Sequence, residues 1–189
     1  MKKTIYFITR NKGKALEAKK KFSAFNIDVI QKNIGYPEIQ ADCLENVAIF
    51  GAEDIQRRIN HPFFLEDAGL FIDILDGFPG VYSAYVFYTI GCPGILRILK
   101  GFNEKKRQAC FKSVIAYAEP DKKPILFVGQ CHGKISEKTL GNQGFGFDPI
   151  FIPDGEEKTF AQMEIEEKNR FSHRGKSLEK LINFLESCK

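Results

Sequence analysis

Long hydrophobic segments are missing from this 189-residue sequence, and so is tryptophan. No stretch approaches the ~20 apolar residues that span a bilayer. The apolar run after the N-terminal lysines, residues 5–9, is much shorter than the core of a signal peptide. We therefore expect no association with a membrane.

Paired cysteines are also missing. The five cysteines are odd in number, scattered and without a C-x-x-C pair, so they predict reduced thiols in a cytoplasmic protein. Cys131 beside His132 resembles a pair of metal ligands. Neighbouring residues of a strand point to opposite faces, which favours a structural interpretation of this pair.

A strong charge of either sign is absent. The net charge is only +4, and the basic residues are spread along the chain. This balance favours a small anionic ligand and is well short of that of a nucleic-acid-binding protein. With 43% hydrophobic and 28% charged residues, the composition is that of a globular protein. The length fits one domain, residues 1–189, or two closely joined lobes.

Hydrophobic periodicity predicts an α/β protein with a mixed sheet. Strands are predicted at residues 4–9, 27–31, 62–65, 111–117, 125–135 and 149–152. Helices are predicted after the first strand, behind Asp42, at residues 95–99 and at residues 174–186. Asp42 with Glu45 is a candidate capping box, and Ser172 is a candidate N-cap. The two longest strands are expected to form an antiparallel pair.

The first candidate site follows the first strand, where a glycine-bearing turn enters a helix. Its residues are Thr9, Arg10, Asn11, Lys12, Gly13 and Lys14. Such a turn presents free backbone N–H groups and the positive helix end to a phosphate. Ile8 and Ala15 stand where a Walker A motif has Gly and Ser or Thr, so a P-loop ATPase is disfavoured. By itself, such a segment is more often a plain turn.

The second candidate site is acidic. Glu66 and Asp67 are predicted at the end of a hydrophobic strand, where carboxylate oxygens could hold Mg²⁺. Glu38 could add another carboxylate from its loop, although composition alone would not choose it over other acids. The alternative is a strand end with solvated acids.

Two further segments could bind a flat or polar ligand. They contain Phe145, Gly146, Phe147 and Asp148 in the first, and Lys168, His173 and Arg174 in the second. Aromatic residues between glycines allow a flat ligand to stack close to the backbone. Cations at a helix N-terminus oppose its dipole, so an anion or a polar ligand edge is expected nearby. The alternatives are a core turn and a structural histidine.

Taken in order, these segments resemble one known family. The blocks are TRNKGK, YPEIQA, EDAGLFID, GFPGVYSAYV, GFGFDPIFIPDG, KTFAQM and EEKNRFSHRGKSL. They run through nearly the whole chain and closely resemble the inosine triphosphate pyrophosphatase family, the dITP/XTP diphosphatase group, especially its archaeal members. GFGFDPIF and SHRGKSL are the specific blocks.

The resemblance implies an elongated α/β fold in which a mixed sheet with flanking helices forms two lobes around a central substrate cleft. It also implies a homodimer that uses a divalent ion, Mg²⁺, to cut ITP, dITP or XTP between the α and β phosphates. By resemblance, Asp67 is the catalytic carboxylate and, with Glu38, a metal ligand. Residues 9–14 would bind the triphosphate. The base would be enclosed by Phe145, Gly146, Phe147, Asp148, Lys168, His173 and Arg174.

Three residues depart from the pattern of that family. Arg10 stands where a small residue is common, and Phe147 replaces a more usual Tyr. Ala68 stands where Ser usually follows the aspartate, so a substrate contact at Ala68 would lack the hydroxyl. Two other functions stay open: a nucleotide pyrophosphatase of broader base specificity, and a non-catalytic nucleotide-binding protein on the same scaffold.

Overall fold

The computed structural model describes residues 3–37 and 39–187. The strands are β1 (Lys3–Ile8), β2 (Ile27–Lys32), β3 (Phe63–Ile72), β4 (Gln108–Ala118), β5 (Ile125–Ile135) and β6 (Phe151–Pro153). The helices are α1 (Lys12–Phe22), α2 (Leu44–Gln56), α3 (Ser83–Thr89), α4 (Gly91–Ile98), α5 (Ile165–Phe171) and α6 (His173–Ser187). Within these described ranges, no helix is both long and apolar enough to cross a membrane.

The six strands form one mixed sheet in the order β2-β1-β3-β4-β5-β6. β1 pairs in parallel with β2 and with β3, whereas β3, β4, β5 and β6 pair in antiparallel fashion. The α/β class with a mixed sheet, predicted from the sequence, is confirmed. The predicted antiparallel pair is β4 with β5.

Apolar side chains pack on both faces of the sheet and around the α3–α4 segment. α1 and α6 cover one face, where Phe22 and Leu181 pack with Phe64. α2 covers the other face, where Leu44 and Ile55 pack with Leu65. A third apolar cluster packs α3 and α4 against the C-terminal half of β3 and the N-terminal half of β4.

β3 differs from the strand predicted at residues 62–65. It continues to Ile72, because β4 pairs with it along its whole length, from Phe63 opposite Ala118 to Ile72 opposite Ala109. Glu66 and Asp67 therefore lie in the middle of β3. The prediction that they lie at the end of a strand is wrong. Alternation along the strand directs these two side chains to opposite faces of the sheet.

The helix predictions were right in part. Ser172 is an N-cap of α6, because its Oγ accepts from the backbone N–H of Gly175 at 3.0 Å. The predicted capping box at Asp42 is wrong, since α2 begins after Cys43 with no side-chain cap and Glu45 instead pairs with Lys112. α4 begins at Gly91, four residues before the predicted start, and α3 and α5 were not predicted.

Candidate functional site

A cleft of about 920 Å³ opens beside the carboxyl end of β1 and the middle of β3. One wall comes from the start of α1 and the loop before α2. The other walls come from α3, the glycine-rich loop before β6 and the first residues of α6. The sequence-predicted residues that line it are Thr9, Arg10, Asn11, Lys12, Gly13, Lys14, Asp67, Ala68, Phe145, Gly146, Phe147, Asp148, His173 and Arg174.

The loop between β1 and α1 is held by its own hydrogen bonds. Thr9 Oγ1 accepts from the N–H of Asn11 at 3.1 Å, and Asn11 Oδ1 accepts from the N–H of Lys14 at 3.0 Å. Gln31 Nε2 donates to the Thr9 carbonyl at 3.0 Å. Asn11 is therefore the N-cap of α1. The first turn of α1 presents backbone N–H donors and the exposed Lys12 to the cleft. This arrangement suits an anion.

Lys14 turns from this loop toward β3. Its Nζ donates to the Glu66 carbonyl at 3.0 Å and lies 3.1 Å from Glu66 Oε2. The cation of the first helical turn is thus paired with a carboxylate of the protein.

The adjacent acids of β3 have different surroundings. Asp67 is half-buried at the cleft, and its Oδ1 accepts from the N–H of Ala68 at 3.0 Å. Glu66 is buried and accepts from Ser113 Oγ at 2.7 Å and from Arg174 Nε at 3.1 Å. Because these donors occupy Glu66, Asp67 is the acid of this pair that can face a ligand in the cleft.

Charge partners decide the ionisation of Glu66. Burial by itself raises the pKa of this carboxyl, but the attraction of Arg174 and Lys14 and the hydrogen bonds from Arg174 and Ser113 together outweigh it. The pKa of Glu66 therefore lies well below its ordinary value, and the side chain is an anion at neutral pH.

A buried ion network lies behind the cleft wall, around Lys168 and Arg174. Lys168 Nζ contacts Glu17 Oε1 at 2.7 Å and Asp148 Oδ2 at 2.6 Å. Arg174 Nη1 donates to Glu17 Oε2 at 2.6 Å, and Arg174 Nη2 lies 3.1 Å from Glu66 Oε1. The anion expected beside the cations at the start of α6 is therefore supplied by the protein itself.

Asp148 receives two of its contacts through one oxygen. Oδ2 accepts from Lys168 Nζ and from the N–H of Phe145, the latter at 2.8 Å. Among the described residues, Asp148 Oδ1 has no hydrogen-bond donor. Burial and the nearby Glu17 raise the pKa of Asp148, whereas Lys168 opposes this shift.

Phe145 packs between the start of α1 and the buried cations of Lys168 and Arg174. A Cβ at Gly13 would lie 2.4 Å from Phe145 Cδ1, so only glycine leaves room for the ring at this distance. Lys168 Nζ and Arg174 Cζ each lie 5.2 Å from the ring centroid, within range of a cation–π interaction.

His173 is buried against Phe111, with the two rings stacked at 4.5 Å between centroids. Burial, reinforced by Arg174 and Lys168, lowers the pKa of His173 well below its ordinary value. The imidazole is therefore neutral. Within the described residues, its Nδ1 has no hydrogen-bond partner.

The model of the Ham1 family matches residues 5–184 of the sequence. The chain belongs to the Ham1 family. The dITP/XTP pyrophosphatase of Thermococcus kodakarensis is 54% identical over 179 residues, 95% of each chain. That of Pyrococcus horikoshii is 50% identical over 181 residues, 96% of each chain. The solved structure of the Staphylococcus aureus Ham1 protein is 30% identical, with a TM-score of 0.83 over 99% of this chain and 100% of that one.

These matches confirm the family resemblance that was inferred from the sequence motifs. In this Ham1 family member, candidate residues that lie far apart in the sequence meet at one cleft. Lys168 is the exception among the described candidates, because it is buried behind the cleft and reaches it through Asp148 and Phe145. Glu38, the second predicted metal ligand, lies outside the described residues.

Sequence reasoning missed two buried residues of the site. Glu17 holds both Lys168 and Arg174, and Ser113 holds Glu66. Glu17 carried a signal, since it lies beside Ala18 on a helix whose buried face is otherwise apolar, and a buried charge needs a partner. Ser113 carried none, because a serine in a strand has no charge to satisfy.

Proposed function

We propose that this protein hydrolyses deaminated purine nucleoside triphosphates (ITP, dITP and XTP) to the monophosphate and pyrophosphate. The names of its relatives, dITP/XTP pyrophosphatases at 54% and 50% identity, support this proposal. The observation that carries it is the fixed donor and acceptor formed by Arg174 and Asp148 at one end of the cleft. The capped start of α1 is the proposed phosphate site.

The base end suits a purine with an oxo group at position 6. Arg174 has five N–H donors, of which three contact Glu17 and Glu66, so two remain for a ligand. They would donate to the keto oxygen, while Asp148 Oδ1 would accept from N1–H. Adenine presents an amino group and a bare N1 at these positions and would leave both protein groups mismatched. Such a mismatch can reject the wrong base by up to ~10⁴-fold.

The phosphate end supports cleavage of the triphosphate. The first turn of α1, with Lys12 and Arg10 beside it, would bind the β and γ phosphates. We propose that Asp67 orients the attacking water and accepts its proton. Mg²⁺, held by Asp67 and Glu38, would neutralise phosphate charge. The half-buried Asp67 carboxylate fits this role, although among the described residues no group of three His, Cys, Asp or Glu side chains forms a complete site.

The direct test is product analysis with ITP, XTP, dITP, ATP, GTP and a modified pyrimidine nucleotide, each with Mg²⁺. We expect pyrophosphate from the first three, and orthophosphate only after an added inorganic pyrophosphatase. Direct release of orthophosphate would disprove the cleavage position. Comparable rates with all six nucleotides would support a pyrophosphatase of broader specificity. Binding without turnover would support a non-catalytic nucleotide-binding protein.

We also propose that two copies associate through the surface around α3. Residues 77–96 contain no charged side chain, yet Tyr85 is 70% exposed and Tyr88 is 82% exposed. Exposed tyrosines without charges are typical of protein interfaces. An uncharged face can meet its own copy without charge repulsion, as a two-fold contact requires. Tyr85→Glu with Tyr88→Glu should convert a dimer to a monomer in light scattering, whereas Ile125→Glu, at an exposed site elsewhere, should not.

The organisation of the chain fits this proposal. The cleft takes residues from Ile8 to Arg174, so we propose that residues 1–189 function as one domain. The four described cysteines are free thiols, which favours a cytoplasmic site of action.

A further inference from the structure

Glu66 links Lys14 at the start of α1 to Arg174 at the start of α6. Its Oε2 lies 3.1 Å from Lys14 Nζ and accepts from Arg174 Nε at 3.1 Å. Its Oε1 lies 3.1 Å from Arg174 Nη2 and accepts from Ser113 Oγ. Lys14 of α1 and Arg174 of α6 therefore share one buried carboxylate oxygen, Oε2 of Glu66.

Two cations that share an oxygen do not act independently. An anion at the start of α1 attracts Lys14 Nζ and weakens its contact with Glu66. Oε2 is then left to Arg174, whose two contacts with Glu66 become stronger and fix the guanidinium. A fixed guanidinium loses less freedom when a base binds, so the base binds more tightly.

We propose that Glu66 is a positioning residue that couples phosphate binding to base reading. It acts through Lys14 and Arg174. The inference rests on the proposed function, because it takes a 6-oxopurine to be the group that meets Arg174. Coupling between two sites is reciprocal, so the phosphate group and the base raise each other's affinity by the same factor.

Glu17 offers a matched comparison. Like Glu66, it is a buried carboxylate that pairs with Arg174, with 3% of the residue exposed against 5% for Glu66. Its other partner is Lys168 rather than Lys14. Glu17→Gln therefore removes one buried charge from Arg174 and leaves the link between Lys14 and Arg174 in place.

The test uses the two halves of the substrate as separate ligands. Calorimetry measures the dissociation constant of inosine with and without saturating inorganic pyrophosphate, in one magnesium buffer. The ratio of the two constants is the coupling factor. We expect a factor of ~5 or more in the wild type, within the usual range for coupled sites. Glu66→Gln should bring the factor to about 1, whereas Glu17→Gln should weaken inosine binding and keep the factor.

Other outcomes would overturn the proposal. A folded Glu66→Gln variant with the wild-type factor would show that coupling does not pass through Glu66. If Glu17→Gln loses the coupling factor to the same extent, the coupling depends on buried charge beside Arg174 in general and not on Glu66. If Glu66→Gln does not fold, Lys14→Met decides, because it removes the cation that shares Oε2 with Arg174 and leaves Arg174 on Glu66. An unchanged factor in Lys14→Met refutes the inference.

ITP hydrolysis by the wild type separates this inference from the proposed function. Hydrolysis of ITP with a coupling factor of one refutes the coupling alone. Absence of hydrolysis refutes the proposed function, while the factor measured with inosine and pyrophosphate still decides the coupling. Failure of inosine to bind refutes both.

Discussion

Asp148→Asn is expected to change which base the cleft accepts, because fixed neighbours decide how an amide would lie there. Oδ2 of Asp148 accepts from the N–H of Phe145 and from Lys168 Nζ, at 2.8 and 2.6 Å. Both neighbours are donors, so the amide oxygen would take the place of Oδ2. The amide NH₂ would then take the place of Oδ1, and an acceptor at the cleft would become a donor.

The magnitude follows from this reversal. Hypoxanthine N1–H would lose a hydrogen bond to a charged acceptor, which contributes about 1.5–3 kcal/mol. That loss corresponds to a decrease of about 10- to 150-fold in kcat/KM, because about 1.36 kcal/mol is tenfold. Adenine has a bare N1, which accepts from an amide, so its mismatch at this position would disappear. We expect the ITP-to-ATP ratio of kcat/KM to fall by ~10²-fold or more.

The assay is pyrophosphate release from ITP, XTP and ATP by the wild type, Asp148→Asn and Asp154→Asn. Asp154 is an exposed acid just after β6, so its amide variant controls for the loss of one negative charge. Circular dichroism must show a folded variant, since Lys168 loses a charged partner. A folded Asp148→Asn protein with an unchanged ITP-to-ATP ratio would show that the base is read elsewhere.

Other residues make separate predictions. Asp67→Asn should lower kcat for ITP by at least ~10²-fold without a change in the unfolding midpoint, and near-normal turnover would remove Asp67 from the chemistry. Gly13→Ala should displace Phe145, whose Cδ1 would lie 2.4 Å from the new Cβ, and lower kcat/KM for ITP by ~10-fold or more. Urea unfolding measures the stability of this variant separately, because the clash with Phe145 opposes the gain of about 1 kcal/mol that alanine brings in a helix interior. The pKa of Glu66 is lowered from 4.5, so its ionised form stabilises the fold above that pH and the contribution is lost as the pH falls further. Between about pH 6 and about pH 3, Glu66→Gln should therefore lose less stability than the wild type, and an equal loss would show that Glu66 does not contribute.

Periodicity predicted the parts of the fold in which one face is apolar. β1, α1 and β2 follow one another with a clear change of period, and α6 carries its apolar face on Leu178, Leu181 and Leu185. β3 could not be delimited, because the ladder with β4 carries it through two acids that sequence rules place at strand ends. α3 has seven residues, fewer than the window in which a helical period can be recognised.

The site was predictable to a different degree. Residue type marked the turn at residues 9–14 and the aromatic loop at Phe145 as candidates, and the family resemblance was needed to select them. They could not show that Glu66 and Asp67 have different partners, because this depends on Ser113 and Arg174, which are distant in the sequence. Nor could they show that the cations at the start of α6 are already neutralised inside the protein.

Stability alone does not explain why so many charges are buried at the base end. Three buried carboxylates, those of Glu17, Glu66 and Asp148, face the buried cations of Lys168 and Arg174 and the partly exposed cation of Lys14. Apolar residues of similar volume often stabilise a protein as well as buried ion pairs do, or better. What apolar residues cannot supply is a donor and an acceptor at fixed positions on the cleft wall.

Arg174 illustrates what the buried charges provide. The guanidinium is held by Glu17 and Glu66 with only 2% of the side chain exposed, and it cannot rotate without breaking these contacts. In the proposed function, these contacts direct the remaining N–H groups toward the base, and an anion at Lys14 strengthens those with Glu66. If Arg174 reads the base as proposed, selectivity depends on Glu17 and Glu66 behind the cleft wall as much as on Arg174 itself. For this reason, a relative that keeps Arg174 and Asp148 but has lost Glu17 should read the base less strictly than this protein does.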